Sequence, residues 1–438
     1  MSTAAPTGIV ETLQIPWATE KFGLTLHHHD STTGHRVTDL VRPGLRRNPR
    51  RAHLLVSTVL GKHIPTDPAV VLDAGNRLGD RVAELLGEDA PVAVVLGFAE
   101  TATGLGHCVA TRIGAAYYLH STRRDVPGAD TFAGFEEGHS HATSHLLQPT
   151  SPDLFANTAP LVLVDDEIST GATALDAIRA LHRNHPRSRY VIASLVDMRA
   201  EENHRAAAQT AADLGARIEH VSLATGRAVI PEGTTARVTA LSDPELNPRA
   251  AQRGTARFVT LPWPATVPDG GRHGFRGADT AGFDAAITAA AAALTAALEP
   301  GHPAIVIGHE ELMYLPLRLA DTLAAHGVAT RFQTTTRSPG YVLDVPGYPL
   351  RRGFAFLAPE YVSETHEEEA PRYLYNAQWP GADHKPTLVL VIDSPADTDR
   401  LRADGGLVDV LTAAGEDVVV ATVSATDPVA LRTSREAP

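Results

Sequence analysis

Cysteine is almost missing from this chain of 438 residues: Cys108 stands alone. An internal disulfide is therefore excluded, and a reducing compartment fits. Basic charge is also in short supply. Lys and Arg number 38 against 51 Asp and Glu, a formal net charge of −13. A general nucleic-acid binder carries a basic excess, so no nucleic-acid partner is expected, although local basic patches stay open. No uncharged apolar run reads as long enough to span a bilayer. The alanine-rich tract at 285–297 is too short and too weakly apolar, and Glu299-Pro300-Gly301 ends it as an ordinary buried or amphipathic helix. Met1-Ser2-Thr3-Ala4-Ala5-Pro6 lacks a basic-then-apolar leader pattern. The expectation is a cytoplasmic protein with no membrane partner. What is present is ample apolar material, 43% of residues, and length enough for two domains or more.

The stretch Leu161-Val162-Leu163-Val164-Asp165-Asp166-Glu167-Ile168-Ser169-Thr170-Gly171-Ala172-Thr173 carries the most information. Four aliphatic residues read as a short buried strand. Two adjacent carboxylates follow, then a hydroxyl-rich turn, then a helical pattern with Leu175, Ile178 and Leu181 on one side. Each part suits a phosphorylated sugar. Backbone N–H groups of Thr170, Gly171, Ala172 and Thr173 at a helix N-terminus make an anion site, and Ser169, Thr170 and Thr173 add hydroxyl donors. Asp165 and Asp166 are acceptors for ribose hydroxyls. Their mutual repulsion is large in a poorly solvated site, so they should face hydroxyls, Mg²⁺ or water. The stretch resembles the phosphoribosyl-pyrophosphate (PRPP) motif of the type I phosphoribosyltransferases: a hydrophobic run, two acids, and a Thr-Gly-x-Thr-like loop opening a helix. It is not a Walker A loop, because no Gly-Lys-[Ser/Thr] ending occurs in it.

Around this motif strands and helices alternate. Residues 1–20 read as a flexible arm. A basic block, Arg46 to Arg51, and the segment Ser57 to Pro65 come next. Helical pattern covers 70–86 and 103–114, and strands are expected at Pro91 to Leu96 and Ala115 to His120. Ser121 to Pro149 is a polar, Gly- and His-rich excursion. A helix to about 183, strands at Tyr190 to Leu195 and Arg217 to Leu223, and a helix near 201–214 complete the unit. Such alternation means an α/β fold with a parallel sheet covered on both faces. The expected division is a phosphoribosyltransferase domain over 21–250 with a small hood from parts of 22–65 and 225–242, a linker near 243–254, and a second domain over 256–433. Its strands are expected at 304–307, 329–333 and 387–392, and the tail from Ser434 is expected to fray.

The two halves echo each other. Glu100 follows Gly97 at the offset at which Glu311 follows Gly308. His120-Ser121-Thr122-Arg123-Arg124 matches Thr334-Thr335-Thr336-Arg337-Ser338, and the PRPP strand matches Leu388-Val389-Leu390-Val391-Ile392-Asp393. The second copy lacks one acid and the phosphate loop. A degenerate phosphoribosyltransferase-like second α/β domain is therefore expected.

Four further constellations stand out. Gly97 to Gly104 lies where this fold places its pyrophosphate loop, with Ala99, Glu100 and Thr101 as the contact residues. Arg123 and Arg124 open the excursion where the family carries a flexible catalytic loop, and either could neutralise the departing pyrophosphate. Glu136 to His145 holds His139, His141 and His145, a zinc set by residue type but without cysteine, so a proton-transfer or purely structural role stays open. In the second half Glu310, Glu311, Thr336, Arg337 and Ser338 could form a second ligand site around a guanidinium clamp. The plainer alternative is that Arg337 pairs with Glu311 to brace the domain.

Taken together, these segments resemble the two-domain phosphoribosyltransferases with a C-terminal TRSP domain, encoded in tellurite-resistance, stress-response gene clusters. The resemblance rests on the Arg46–Arg51 block, Ser57 to Pro65, the Glu136–His145 loop, the PRPP motif, Gly270 to Phe275, Glu310 to Pro316, the literal Thr336-Arg337-Ser338-Pro339, and Tyr373 to Asn376. It covers about residues 20 to 430. It implies a PRPP- and Mg²⁺-dependent enzyme acting on a nucleobase-like acceptor in a nucleoside-like biosynthetic module. The metal would arrive with PRPP, with no firm protein ligand, and a homodimer is open. Thr58 stands where a basic residue is expected and receives no role. A PRPP-sensing regulator and a PRPP synthetase are the rival readings. The first lacks a helix-turn-helix pattern, the second a nucleotide-triphosphate motif.

Overall fold

The computed structural model describes residues 15–136, 144–360 and 371–436. In the first half the strands are β1 (Thr25–Asp30), β2 (Val41–Leu45), β3 (His53–Ser57), β4 (Val94–Gly97), β5 (Tyr117–His120), β6 (Ala133–Glu136), β7 (Ser144–Leu147), β8 (Leu161–Ile168), β9 (Arg189–Asp197) and β10 (Arg217–Val229). The second half adds β11 (Ala256–Thr260), β12 (Phe275–Arg276), β13 (Ala304–Gly308), β14 (Thr330–Thr334), β15 (Gly353–Leu357), β16 (Pro371–Tyr375), β17 (Thr387–Asp393) and β18 (Val418–Val423).

Two sheets organise the chain. One runs β1-β10-β9-β8-β4-β5-β12, the other β11-β18-β17-β13-β14. In the first, β10, β9, β8, β4 and β5 are parallel, and β1 and β12 close the edges antiparallel. The second is parallel throughout. The order β9-β8-β4-β5 is repeated as β18-β17-β13-β14. Each half inserts an antiparallel hairpin, β6–β7 or β15–β16, between its second and third strands of that set. The internal echo in the sequence is thus an echo in topology. β8 is central because Leu161 to Val164 offer no polar side chain to either face, and all four are fully buried.

The halves share a core. Helix Thr103–Ile113 and helix Pro68–Leu86 pack with helices Thr280–Ala297 and Tyr314–Ala325. A Cβ on Gly75 would sit 2.4 Å from the Cβ of Cys108, so only glycine lets these two helices approach. Burial pushes the Cys108 thiol up to about 12, which makes it packing rather than a nucleophile. The hood, with hairpin β2–β3 and helix Thr234–Thr239, packs Leu54, Val56 and Val238 against Tyr341, Leu350 and Tyr375 of the second half.

Several expectations are corrected. Residues 1–14 of the expected arm lie outside the described residues, but Trp17–Phe22 is a helix that buries Ala18 and Phe22. Pro91 belongs to a 3₁₀ turn, Gly87–Val92, and β4 begins only at Val94. β8 runs through both acids to Ile168. The expected frayed tail is helical to Glu436, held by Arg435 to Asp279 at 2.6 Å. Among the described residues one helical stretch, Gly277–Ala297, is long and apolar enough to cross a membrane by length and composition. Its side chains Phe283, Ala286, Ile287, Ala290, Ala291 and Leu294 are buried in the shared core. The structure adds β11, β15, β16 and β18: β11 and β16 mix charged and apolar residues, whereas β18 is an almost continuous apolar run, Val418 to Val423, outside the expected strands.

Candidate active site

The carboxyl ends of β4 and β8 lie side by side, with Gly97 opposite Val164 in register. Open α/β sheets bind ligands at such ends. Ala99, Glu100 and Thr101 leave β4 there, and Asp165 and Asp166 leave the buried part of β8 as half-buried groups. Gly171 then takes φ 78° and opens helix Ala172–Asn184. A Cβ at this position would be strained by φ and would touch Arg199 as well. The first N–H groups of a helix have no intrahelical partner. Around them stand the Ser169, Thr170 and Thr173 hydroxyls, with Thr170 exposed and its Oγ1 accepting from the Ala172 N–H at 3.3 Å.

A lysine from the hood ties these pieces together. Lys62 Nζ lies 3.2 Å from Asp166 Oδ2 and 3.4 Å from Thr101 Oγ1. Burial would lower the lysine pKa, but Asp166, Glu167 and Glu100 outweigh it and hold it above its ordinary value. The two acids are driven apart. Burial and then the neighbouring Asp166 push Asp165 well above the usual carboxylate range. Burial acts the same way on Asp166, but Lys62 reverses it and keeps Asp166 low. Arg51 pairs with Glu167 at 3.1 Å, and Arg46 donates to Ser338 Oγ at 3.1 Å. Burial, then Arg51 and Arg46, lower His53 to about 4. In the sequence, Lys62, Arg46, Arg51 and Glu167 stand out only as parts of the segments that carry the family resemblance. The signal for Lys62 was a lone lysine inside Leu60-Gly61-Lys62-His63-Ile64-Pro65, an otherwise uncharged stretch.

The start of the excursion packs beneath the β4 loop. The Ala99 N–H donates to Ser121 Oγ at 2.9 Å, and that hydroxyl meets His145 Nδ1 at 2.8 Å. His145 is buried and stacked on Phe135, with ring centroids 4.7 Å apart. Arg123 reaches His145 Nε2 at 3.5 Å. Glu137, His139 and His141 lie outside the described residues. Arg124 is committed elsewhere: it meets Asp393 at 2.8 Å, Glu360, and Glu311 at 3.6 Å, all from the second half. Charge compensation at that interface accounts for Arg124.

The second half's own motif is also paired. Arg337 meets Glu310 at 2.8 Å, not Glu311 as the plainer alternative had it, and Arg372 holds the other Glu310 oxygen. Thr336 Oγ1 donates to Glu100 Oε1 at 2.6 Å, and the Arg337 N–H does so at 2.8 Å. Glu311 accepts from Thr122 at 2.7 Å and pairs with Arg272 at 3.3 Å. Ser338 meets Arg46 as above. Among the described residues, His309, Glu310 and Glu360 form a group close enough to share a metal ion. Their carboxylates are already matched by Arg124, Arg337 and Arg372.

Glu310 makes this cluster acid-sensitive. Burial would raise its pKa, but Arg337 and Arg372 bring it down to about 2. A depressed folded-state value stabilises above the unfolded value of about 4.5 and is lost as pH falls through the folded one. Glu310→Gln should therefore unfold at lower denaturant than the native chain at pH 7. The difference should shrink steadily between about pH 4.5 and 2. A gap that stays constant over that range would contradict the assignment.

Two family models match the chain, one in each half. Residues 40–227 match a family model described as phosphoribosyl transferase, and residues 269–411 match the TRSP domain that lies C-terminal to it. A search of curated proteins gives no match. Solved structures similar to part of the chain include adenine phosphoribosyltransferases from Trypanosoma brucei and Giardia lamblia. The first is 15% identical, covers 43% of this chain and 77% of that one, with a TM-score of 0.33. The second is 17% identical, covers 42% and 93%, with a TM-score of 0.31. An orotate phosphoribosyltransferase from Aeropyrum pernix is 21% identical over 43% and 89%, with a TM-score of 0.26. With both family models matched in order along one polypeptide, the chain belongs to the two-domain phosphoribosyltransferases that carry a C-terminal TRSP domain.

Proposed function

We propose that this phosphoribosyltransferase moves the 5-phosphoribosyl group of PRPP to a nucleobase-like acceptor and releases pyrophosphate. The observation that carries the reading is the Lys62 bridge, one cation spanning Thr101 of the β4 loop and Asp166 of the PRPP motif. Asp165 and Asp166 accept from the ribose hydroxyls. Ser169, Thr170, Gly171, Ala172 and Thr173 hold the 5′-phosphate through N–H and hydroxyl donors. Ala99, Glu100 and Thr101 meet the pyrophosphate, which arrives as its Mg²⁺ complex, and Arg123 closes over it.

The bond from ribose C1 to the pyrophosphate oxygen breaks, and its electron pair leaves with pyrophosphate. Positive charge develops on the ribose before an acceptor nitrogen bonds to C1 and gives up its proton to solvent. Asp165 and Asp166 stabilise that charge through the ribose hydroxyls, and Lys62 offsets the charge on the leaving group. The rest is positioning. The resemblance to TRSP-linked enzymes supports placing the reaction in a stress-response, nucleoside-like pathway, and the buried lone thiol is compatible with a cytoplasmic setting. Calorimetry with PRPP and Mg²⁺ is the first measurement, and binding in roughly the micromolar to millimolar range is expected. Incubation with PRPP and a panel of bases should then release pyrophosphate with at least one of them. A native chain that binds no PRPP removes the proposal. ATP-dependent synthesis of PRPP from ribose 5-phosphate would replace it with the synthetase reading.

A further inference from the structure

The two halves hold each other by an exchange of like groups. In the first, the Ser121 N–H donates to Gly97 O at 3.0 Å and the Ala99 N–H to Ser121 Oγ at 2.9 Å. In the second, the Thr335 N–H donates to Gly308 O at 3.0 Å and the Glu310 N–H to Thr335 Oγ1 at 3.0 Å. Thr122 pairs with Leu146 of one hairpin, Thr336 with Tyr373 of the other. Thr122 then donates across to Glu311 of the second half, and Thr336 donates across to Glu100 of the first. The register extends this equivalence to the acids. Gly97 lies opposite Val164 and Gly308 opposite Val391, so Asp393 stands where Asp166 stands and Ile392 replaces Asp165.

The equivalent places are used differently. In the second half Asp393 is occupied by Arg124 and Arg272, and the Gly171-type phosphate loop is missing: Ser394-Pro395-Ala396 forms a single 3₁₀ turn. In the first half Asp166 meets Lys62, and Glu100 sits next to Thr101. The Glu100 carboxylate is gripped from the second half by the Thr336 hydroxyl and the Arg337 N–H, with the Arg337 guanidinium 3.7 Å away. That guanidinium is itself oriented by Glu310, whose backbone sits at φ 50°. A non-glycine residue at positive φ is uncommon and persists only where surroundings enforce it.

We propose that the C-terminal domain is a built-in second unit whose Thr336 and Arg337 are positioning residues for the pyrophosphate loop of the first. This rests on the assignment of Ala99, Glu100 and Thr101 to pyrophosphate. The second half's former ligand end has become a dock for Arg124. In return its hydroxyl and amide fix Glu100, and through Glu100 the backbone that Thr101 presents to the leaving group. Neither Thr336 nor Arg337 touches the reacting atoms in this role.

The test uses the full chain, Mg²⁺ and three probes: PRPP, pyrophosphate, and ribose 5-phosphate, which has no pyrophosphate. Thr336→Val and Arg337→Ala should weaken PRPP and pyrophosphate about tenfold each. Ribose 5-phosphate should bind as it does to the native chain, and Arg337→Lys should recover part of the loss. A merely structural role would weaken all three probes together, and that result overturns the inference. So does unchanged PRPP affinity in both variants. If Arg337→Ala does not fold, Thr336→Val decides, since it keeps the backbone contact and removes only the hydroxyl. A native chain that binds ribose 5-phosphate but neither PRPP nor pyrophosphate refutes the parent assignment instead.

Discussion

Arg124→Met is expected to destabilise the whole chain by about 3–5 kcal/mol, the cost of leaving buried charge without its partner. The Arg124 side chain is 11% exposed, and its partners Asp393, Glu360 and Glu311 are 1%, 8% and 3% exposed. Burial alone would lower the guanidinium pKa, but the three acids outweigh it and hold it well above its ordinary value. The acids depend on the same contact. Burial would raise Asp393, and Arg124 with Arg272 brings it below the usual range. Without Arg124, Arg272 is left facing Asp393 at 3.4 Å and Glu311 at 3.3 Å. The unpaired acids must then take up protons or open the interface to water. Urea unfolding at pH 7 measures the loss, and the loss should diminish as pH is lowered and the acids protonate. Adding Asp393→Leu to Arg124→Met should restore part of the stability, because an ion pair replaced by apolar groups costs far less than one cut in half. A single variant within about 0.5 kcal/mol of the native chain would show that the interface does not depend on this contact.

The interface explains what the sequence could and could not disclose. The PRPP motif was legible because a buried parallel strand, two acids and a phosphate loop impose their pattern on consecutive residues. The duplication was legible for the same reason: Gly97 to Glu100 and Gly308 to Glu311 keep a local spacing. Pairings between distant residues leave no such trace. Arg123 and Arg124 are adjacent and chemically alike, yet one reaches His145 of the same half and the other crosses to three carboxylates of the second half. Likewise Glu310 and Glu311 are adjacent, yet φ 50° at Glu310 turns one to Arg337 and leaves the other to Thr122 and Arg272. Lys62 was visible as a lysine in a conspicuous segment, but only the fold of the hood brings it to Asp166. The edge strand β12 escaped because it is a two-residue segment of the second half, Phe275–Arg276, completing the first half's sheet beside Tyr117 and Tyr118.

The acids of the PRPP motif should separate into a strong and a weak site. Asp166→Ala is expected to weaken PRPP by about a hundredfold, the scale of losing hydrogen bonds from ribose hydroxyls to a charged acceptor. Asp165→Asn should change it by only a few fold. The asymmetry follows from their environments. Asp165 is pushed well up by burial and by the adjacent Asp166, so its charge is the more weakly held of the two and an amide of the same shape replaces it at less cost. Asp166 is held ionised by Lys62 at 3.2 Å, so its charge is part of the free site. Asp166→Ala also releases Lys62 towards Thr101 and the leaving group. Pyrophosphate alone should therefore bind the variant as well as it binds the native chain, or better, while PRPP and ribose 5-phosphate both weaken. This is the reverse of the pattern expected for Thr336→Val, so calorimetry with the same three probes separates the ribose end of the site from the pyrophosphate end. Equal loss of all three probes in Asp166→Ala would mean that the acid supports the fold rather than the sugar. No loss for ribose 5-phosphate would place the ribose elsewhere.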